Sequence, residues 1–124
     1  MDALVEAALK VRENAWAPFS KFKVGAAIED GEGRIHTGCN VENATYGLTI
    51  CAERVAVGNA VSEGCRKFCA LAVVAPSADL SPCGACRQVL AEFGECVIVC
   101  ADSRNTRQVQ SYLLSELLPH AFKL

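Results

Sequence analysis

The chain has 124 residues and a formal charge of −2, with 12 Lys and Arg against 14 Asp and Glu; it carries no cationic excess and no basic run interleaved with aromatics, which argues against a nucleic-acid partner. The length supports one sheet with a few helices and not two separate cores, so residues 1–124 are read as a single domain. Charges between Met1 and Lys10 interrupt any signal-peptide core, and no run of about 18 apolar residues follows; the expectation is a soluble, cytoplasmic protein with no membrane partner. In a reducing compartment the eight cysteines read as metal ligands or small buried residues, not as disulfides.

From Asp2 to about Ala15 the apolar residues Leu4, Val5, Ala8, Leu9 and Val11 recur at helical spacing, with Glu and Lys between them, which predicts a surface helix. Trp16 and Phe19 flank Pro18; Trp16 is read as a partly buried anchor, and both are left outside any site. Phe22 to Ile28 and Arg34 to Val41 predict two antiparallel strands, joined by Glu29-Asp30-Gly31-Glu32-Gly33 with its Asp-Gly turn signal. After Cys51 the residues Val55, Ala56, Ala60 and Val61 predict a helix stopped near Gly64. After Pro82 a second helical pattern runs through Cys86, Val89, Leu90 and Phe93 to Gly94. Cys69 to Ala75 and Cys96 to Ala101 are nearly continuous apolar runs, as in strands covered on both faces. The tail from Thr106 to Leu118 is a helix or a strand-helix piece ended by Pro119. This β-α-β-α-β alternation packs helices on a mixed sheet, and in open sheets of this kind ligands bind beyond the strand ends, where helix N-termini also point.

The chemistry-bearing residues sit at two of those helix starts, Cys51-Ala52-Glu53 and Ser81-Pro82-Cys83-Gly84-Ala85-Cys86. Unpaired N–H groups and the positive end of a helix dipole favour thiolate over thiol, and the thiolate is the metal ligand. Cys51, Cys83 and Cys86 make three ligands; a structural zinc takes four protein ligands, whereas a catalytic zinc takes three and keeps a position for water. Glu53 is then free to act as a general base and afterwards as an acid. A ligand-x-Glu segment followed by Pro-Cys-x-x-Cys is the arrangement of zinc-dependent nucleobase deaminases. Three thiolates load the metal with negative charge, and a cation should offset it: Arg54, three residues after Cys51, is the preferred candidate, and Arg87 the alternative. Cys39, Cys65, Cys69, Cys96 and Cys100 are assigned to core packing, and His36 and His120 to the ordinary surface.

Together with Ala17-Pro18-Phe19-Ser20-Lys21-Phe22-Lys23-Val24-Gly25-Ala26-Ala27, Gly38-Cys39-Asn40-Val41-Glu42-Asn43-Ala44 and Glu116-Leu117-Leu118-Pro119, these motifs resemble the small zinc-dependent cytidine deaminases over nearly the whole length. The resemblance implies a three-layer α-β-α sandwich on a mixed five-stranded sheet. It implies hydrolysis of cytidine and 2'-deoxycytidine to uridine and 2'-deoxyuridine with release of ammonia, in pyrimidine salvage. It implies Zn2+ on Cys51, Cys83 and Cys86, with Glu53 shuttling the proton to N3 of the base and to the leaving amine. Asn40 and Glu42 would bond the ribose 3'-hydroxyl, Phe22 would pack on the base, and the Ala52 N–H and Ser81 carbonyl would contact the pyrimidine. It further implies a homotetramer with shared active sites, to which Tyr46 and Phe122 would contribute across subunits. Positions 40 and 42 alternate in a strand, so their side chains should face one way. Two alternatives stay open: a deaminase of an aminonucleoside antibiotic such as blasticidin S, and a non-catalytic zinc module in which Cys39 or another cysteine completes a four-thiolate site.

Overall fold

The computed structural model describes residues 2–124. Five strands form one mixed sheet in the order β2-β1-β3-β4-β5: β1 Gly25–Asp30, β2 Ile35–Cys39, β3 Phe68–Ala75, β4 Val97–Asp102 and β5 Asn105–Leu113. Only β3 and β4 run parallel, joined through helix α3 (Gly84–Ala91); the other neighbours are antiparallel. Helix α1 (Asp2–Arg12) covers one face of the sheet. Helices α2 (Ala52–Ser62) and α3 cover the other, with the short α4 (Leu114–Leu117) after β5. This is the expected α-β-α layering, and the tail takes the strand-helix form.

Alternation along the central strands explains the two cores. In β3 the side chains of Leu71 and Val73 join Ile28, Ala56, Ala60, Leu90 and Ile98 beneath α2 and α3, while Ala70, Ala72 and Val74 join Leu4, Val5 and Ala8 beneath α1. Small residues let the layers approach. A Cβ on Gly25 would lie 1.9 Å from the Ala8 carbonyl oxygen, and one on Gly38 would lie 2.3 Å from the Ala56 nitrogen. Each glycine is therefore where a helix backbone rests directly on the sheet.

Several boundaries differ from the sequence reading for identifiable reasons. Helix α1 stops at Arg12 and not near Ala15, because Trp16 leaves the helix to bridge Val41, its N–H donating to the Asn40 carbonyl at 3.0 Å. Trp16 is 61 % exposed, so it is no buried anchor; its backbone holds the contact while its ring stays outside. β1 begins at Gly25, three residues after Phe22, because the Asn40 side chain occupies the backbone before it: Asn40 Oδ1 accepts from the Val24 N–H at 2.9 Å and Nδ2 donates to the Phe22 carbonyl at 2.9 Å. β2 ends at Cys39, so Asn40 and Glu42 do not lie in a regular strand, although Val41 stays extended through bridges to Trp16 and Ile50. Cys65, Cys96 and Cys100 are buried and Cys39 half-buried, but Cys69 is exposed between the buried Phe68 and Ala70 of β3. No helix among the described residues is long and apolar enough to cross a membrane.

Register brings the functional segments to one end of the sheet. Gly25 pairs with both Cys39 and Val74, so the residues before β1, those after β2 and those after β3 converge. The N-termini of α2 and α3 open at that same end, and Gly38 seats α2 against β2.

Candidate active site and metal centre

Cys51 and Cys83 are the N-cap residues of α2 and α3, both with extended backbone, and their carbonyls accept the first helical bonds from Val55 at 3.1 Å and Arg87 at 3.0 Å. Cys86 lies in the first turn of α3 and is buried. The three Sγ atoms all lie within 4.8 Å of one another, and Cys83 and Cys86 are 3.5 Å apart. Zn–S bonds of about 2.3 Å in a tetrahedron require sulfurs about 3.8 Å apart, so the donor set fits zinc without rearrangement of either helix. Cys39 is not part of this thiol cluster, and no other cysteine among the described residues joins it, which removes the four-thiolate structural site.

Arg54 lies beside Cys51. Its Nη2 donates to Cys51 Sγ at 3.4 Å, and its Nε is buried without a hydrogen-bond partner. Arg87 does otherwise: it donates to the Pro82 and Leu117 carbonyls at 2.7 and 2.8 Å and to Ser81 Oγ at 3.1 Å, so it braces the loop that carries Ser81 and touches no thiol. The hydrogen bond from Cys86, opposed by burial and aided by Arg54, holds the Cys51 thiol down to about 5; its bond to Cys51 and its burial push the Cys86 thiol up. Glu53 follows on the same turn and is buried, 6 % exposed. Burial pushes its carboxyl above the usual range, its own N–H opposes this, and the neighbouring Cys51 charge adds to it.

Glu53, Cys51 and Cys83 line a cavity of about 310 Å³, and so do Phe22, Asn40, Glu42, Ala52 and Ser81. Eight of the residues named from sequence thus meet at one place. Asn40 and Glu42 reach it from a loop and not from strand alternation, and Glu42 accepts from the Phe19 and Ser20 N–H groups at 3.0 and 3.1 Å. Tyr46 and Phe122 do not line the cavity in this chain. Tyr46, in a 3-10 turn at Tyr46–Leu48, borders a neighbouring pocket with Phe19, Ser20, Glu42 and Thr49, and Phe122 projects outward with its carbonyl held by Gln88. Ser20, Val24, Thr49, Val73 and Leu80 also line the cavity and were not read from the sequence. Thr49, two before Cys51, and Ser20, two before Phe22, carried the available signal. A larger cleft of about 500 Å³ between α3, α4 and the tail contains Glu95 and Lys123 but no comparable constellation.

A second group of metal-ligand types, Asp30, His36 and Cys65, is chemically different. His36 is buried, contrary to the surface assignment, because β2 turns Ile35 outward and His36 inward. Its two ring nitrogens contact Asp30 Oδ2 at 2.9 Å and Glu63 Oε1 at 2.6 Å, while Asp30 also accepts from the Glu32 and Arg34 N–H groups and from Arg34 Nε. Both nitrogens are taken and a guanidinium stands alongside, so this is a closed charge network.

The chain matches the family model for the cytidine and deoxycytidylate deaminase zinc-binding region over residues 1–102. A protein of Sporosarcina psychrophila named cytidine deaminase is 46 % identical, covering 98 % of this chain and 90 % of that one. The crystal structure of cytidine deaminase from Burkholderia pseudomallei superposes with a TM-score of 0.91 at 46 % identity, covering 98 % of each chain. A blasticidin-S deaminase of Bacillus cereus is 32 % identical over 81 % of this chain and 76 % of that one. With the thiol cluster, the α-β-α sheet and these likenesses together, the chain belongs to the cytidine deaminase family.

Proposed function

We propose that residues 1–124 form one catalytic domain that hydrolyses cytidine and 2'-deoxycytidine to the corresponding uridines with release of ammonia, using zinc held by Cys51, Cys83 and Cys86. The observation that carries this reading is a buried carboxylate, Glu53, sharing one cavity with Cys51 and Cys83 of the three-thiol cluster and with the sugar-type ligands Asn40 and Glu42. Bound there, zinc supplies the Lewis acidity that lets water act as a nucleophile near neutral pH.

The protein's own groups do the rest. Glu53 takes a proton from the attacking water and hands it to N3 of the pyrimidine, then takes the second proton from the new C4 hydroxyl as it collapses to the carbonyl and delivers it to the departing amine; its raised affinity for protons, caused by burial, suits a group that must both accept and donate. The Ala52 N–H, in the first turn of α2, has no intrahelical acceptor and is available to the base carbonyl. The Ser81 carbonyl accepts from the exocyclic amine, and the Phe22 ring packs on the pyrimidine face. Asn40 and Glu42 bond the ribose 3'-hydroxyl, and Arg54 balances the thiolate charge. Four copies assemble, and Tyr46 and Phe122, both exposed, complete a neighbour's site.

The test is turnover of cytidine and of blasticidin S by wild type and Glu53→Gln, with bound zinc measured in each. Cytidine should be preferred, and Glu53→Gln should keep its zinc while losing at least ~10²-fold in kcat. Unaltered turnover with zinc retained would remove Glu53 from the chemistry, and clear preference for the antibiotic would replace the substrate.

A further inference from the structure

Ser20 lies at the cavity beside two proposed substrate contacts and is bonded to both. Its hydroxyl donates to Glu42 Oε2 and accepts from the Phe22 N–H at 3.0 Å, while its own N–H and that of Phe19 donate to Glu42 Oε1. The backbone between Ser20 and Phe22 turns through the left-handed region at Lys21, φ 63°, a conformation that a side-chain-bearing residue keeps only where its surroundings impose it.

We propose that Ser20 is a positioning residue for sugar recognition: through one hydroxyl it sets the Glu42 carboxylate and the Phe22 backbone in a common geometry, and so makes the site select nucleosides with a free sugar hydroxyl. This rests on the reading of Glu42 and Phe22 as nucleoside contacts. A carboxylate offers about four lone-pair sites. The two amides and the serine hydroxyl fill three, which leaves one on Oε2 with a fixed direction. The Ser20 hydroxyl bond, against some desolvation and with help from the two amides and Lys21, holds Glu42 below the usual carboxylate range. An ionised carboxylate only accepts, so the fourth position takes a sugar group with a proton to give. It rejects hydrogen, an ether or a phosphate there. Asn40 pins the following residues, its amide bonding the Phe22 carbonyl and the Val24 N–H. Ser20 holds the Phe22 N–H, which Asn40 does not reach.

The test compares kcat/KM for cytidine and 3'-deoxycytidine in wild type, Ser20→Ala, Ser20→Thr and Glu42→Gln, with a thermal melt of each. Ser20→Ala should lose about tenfold on cytidine, mostly in KM, and the preference for cytidine over 3'-deoxycytidine should fall by the same factor. Ser20→Thr, which keeps the hydroxyl, should recover most of that preference. If Ser20→Ala weakens both substrates equally, or keeps the wild-type preference while Glu42→Gln loses it, the inference is overturned alone. If wild type itself shows no preference and Glu42→Gln changes nothing, the sugar reading is overturned and this inference with it.

Discussion

Of the two arginines that follow ligand cysteines, Arg54 reaches a thiol and Arg87 reaches only backbone carbonyls and Ser81. Cys51, Glu53, Cys83 and Cys86 are local to two helix starts, so their convergence needed only two capping signals. Spacing favoured Arg54 over Arg87, but what Arg87 does instead shows only in three dimensions. Arg54 stands three residues after Cys51 and Arg87 directly after Cys86, but Arg87 is drawn off by the Pro82 and Leu117 carbonyls, the latter 30 residues away. The distinction has a measurable consequence. Arg54→Gln removes the charge beside Cys51 while keeping a donor of similar reach, and zinc affinity, measured by competition with a chelator, should fall about 10- to 100-fold. Arg87→Gln should leave zinc affinity within about twofold of wild type, since its contacts are to backbone and Ser81; an equal loss in both variants would contradict the assignment.

At the level of elements, the same sequence logic that set the hairpin missed what holds it to α2. Asp30 ends β1, His36 lies in β2 and Glu63 caps α2, so the buried imidazole ties three elements whose residues are 27 positions apart from His36 to Glu63. Reading His36 as a surface residue failed because period-2 alternation does not say which face is inward until a neighbouring helix is placed. Charge state makes the link pH-dependent. Burial lowers the proton affinity of His36, but the bonds to Asp30 and Glu63 outweigh it and raise its pKa above the ordinary 6.5. A raised histidine stabilises fully below its unfolded value and loses that contribution as pH climbs through the folded one. The His36 bond, partly opposed by desolvation, instead depresses Asp30, whose contribution is present above the unfolded carboxylate value and is lost as pH falls through the folded one. The urea midpoint of wild type relative to His36→Gln should therefore shrink steadily from pH 6 to pH 9. A difference independent of pH over that span would show that His36 is not a charged link.

For the whole molecule, the layering was readable because most helices and strands announced their period, β5 in the tail excepted, and the count of five strands in a mixed sheet followed from the resemblance and was met by the topology. Assembly is not readable in the same way, since it depends on surfaces that one chain leaves exposed: Tyr46 and Phe122 stand 79 % and 70 % exposed and away from their own cavity. Sedimentation should give a mass near four times the 13.2 kDa of the chain, and Phe122→Ala should lower kcat/KM for cytidine while bound zinc is unchanged; a fully active monomer would contradict shared sites. The central claim concerns metal, carboxylate and nucleoside acting together. Its most direct measurement is ammonia release from cytidine by purified protein as zinc is restored to chelator-treated chain. Activity should rise in proportion to bound zinc and level at one ion per chain, whereas fully zinc-loaded protein that releases no ammonia, or turnover indifferent to zinc removal, would contradict zinc-dependent deamination.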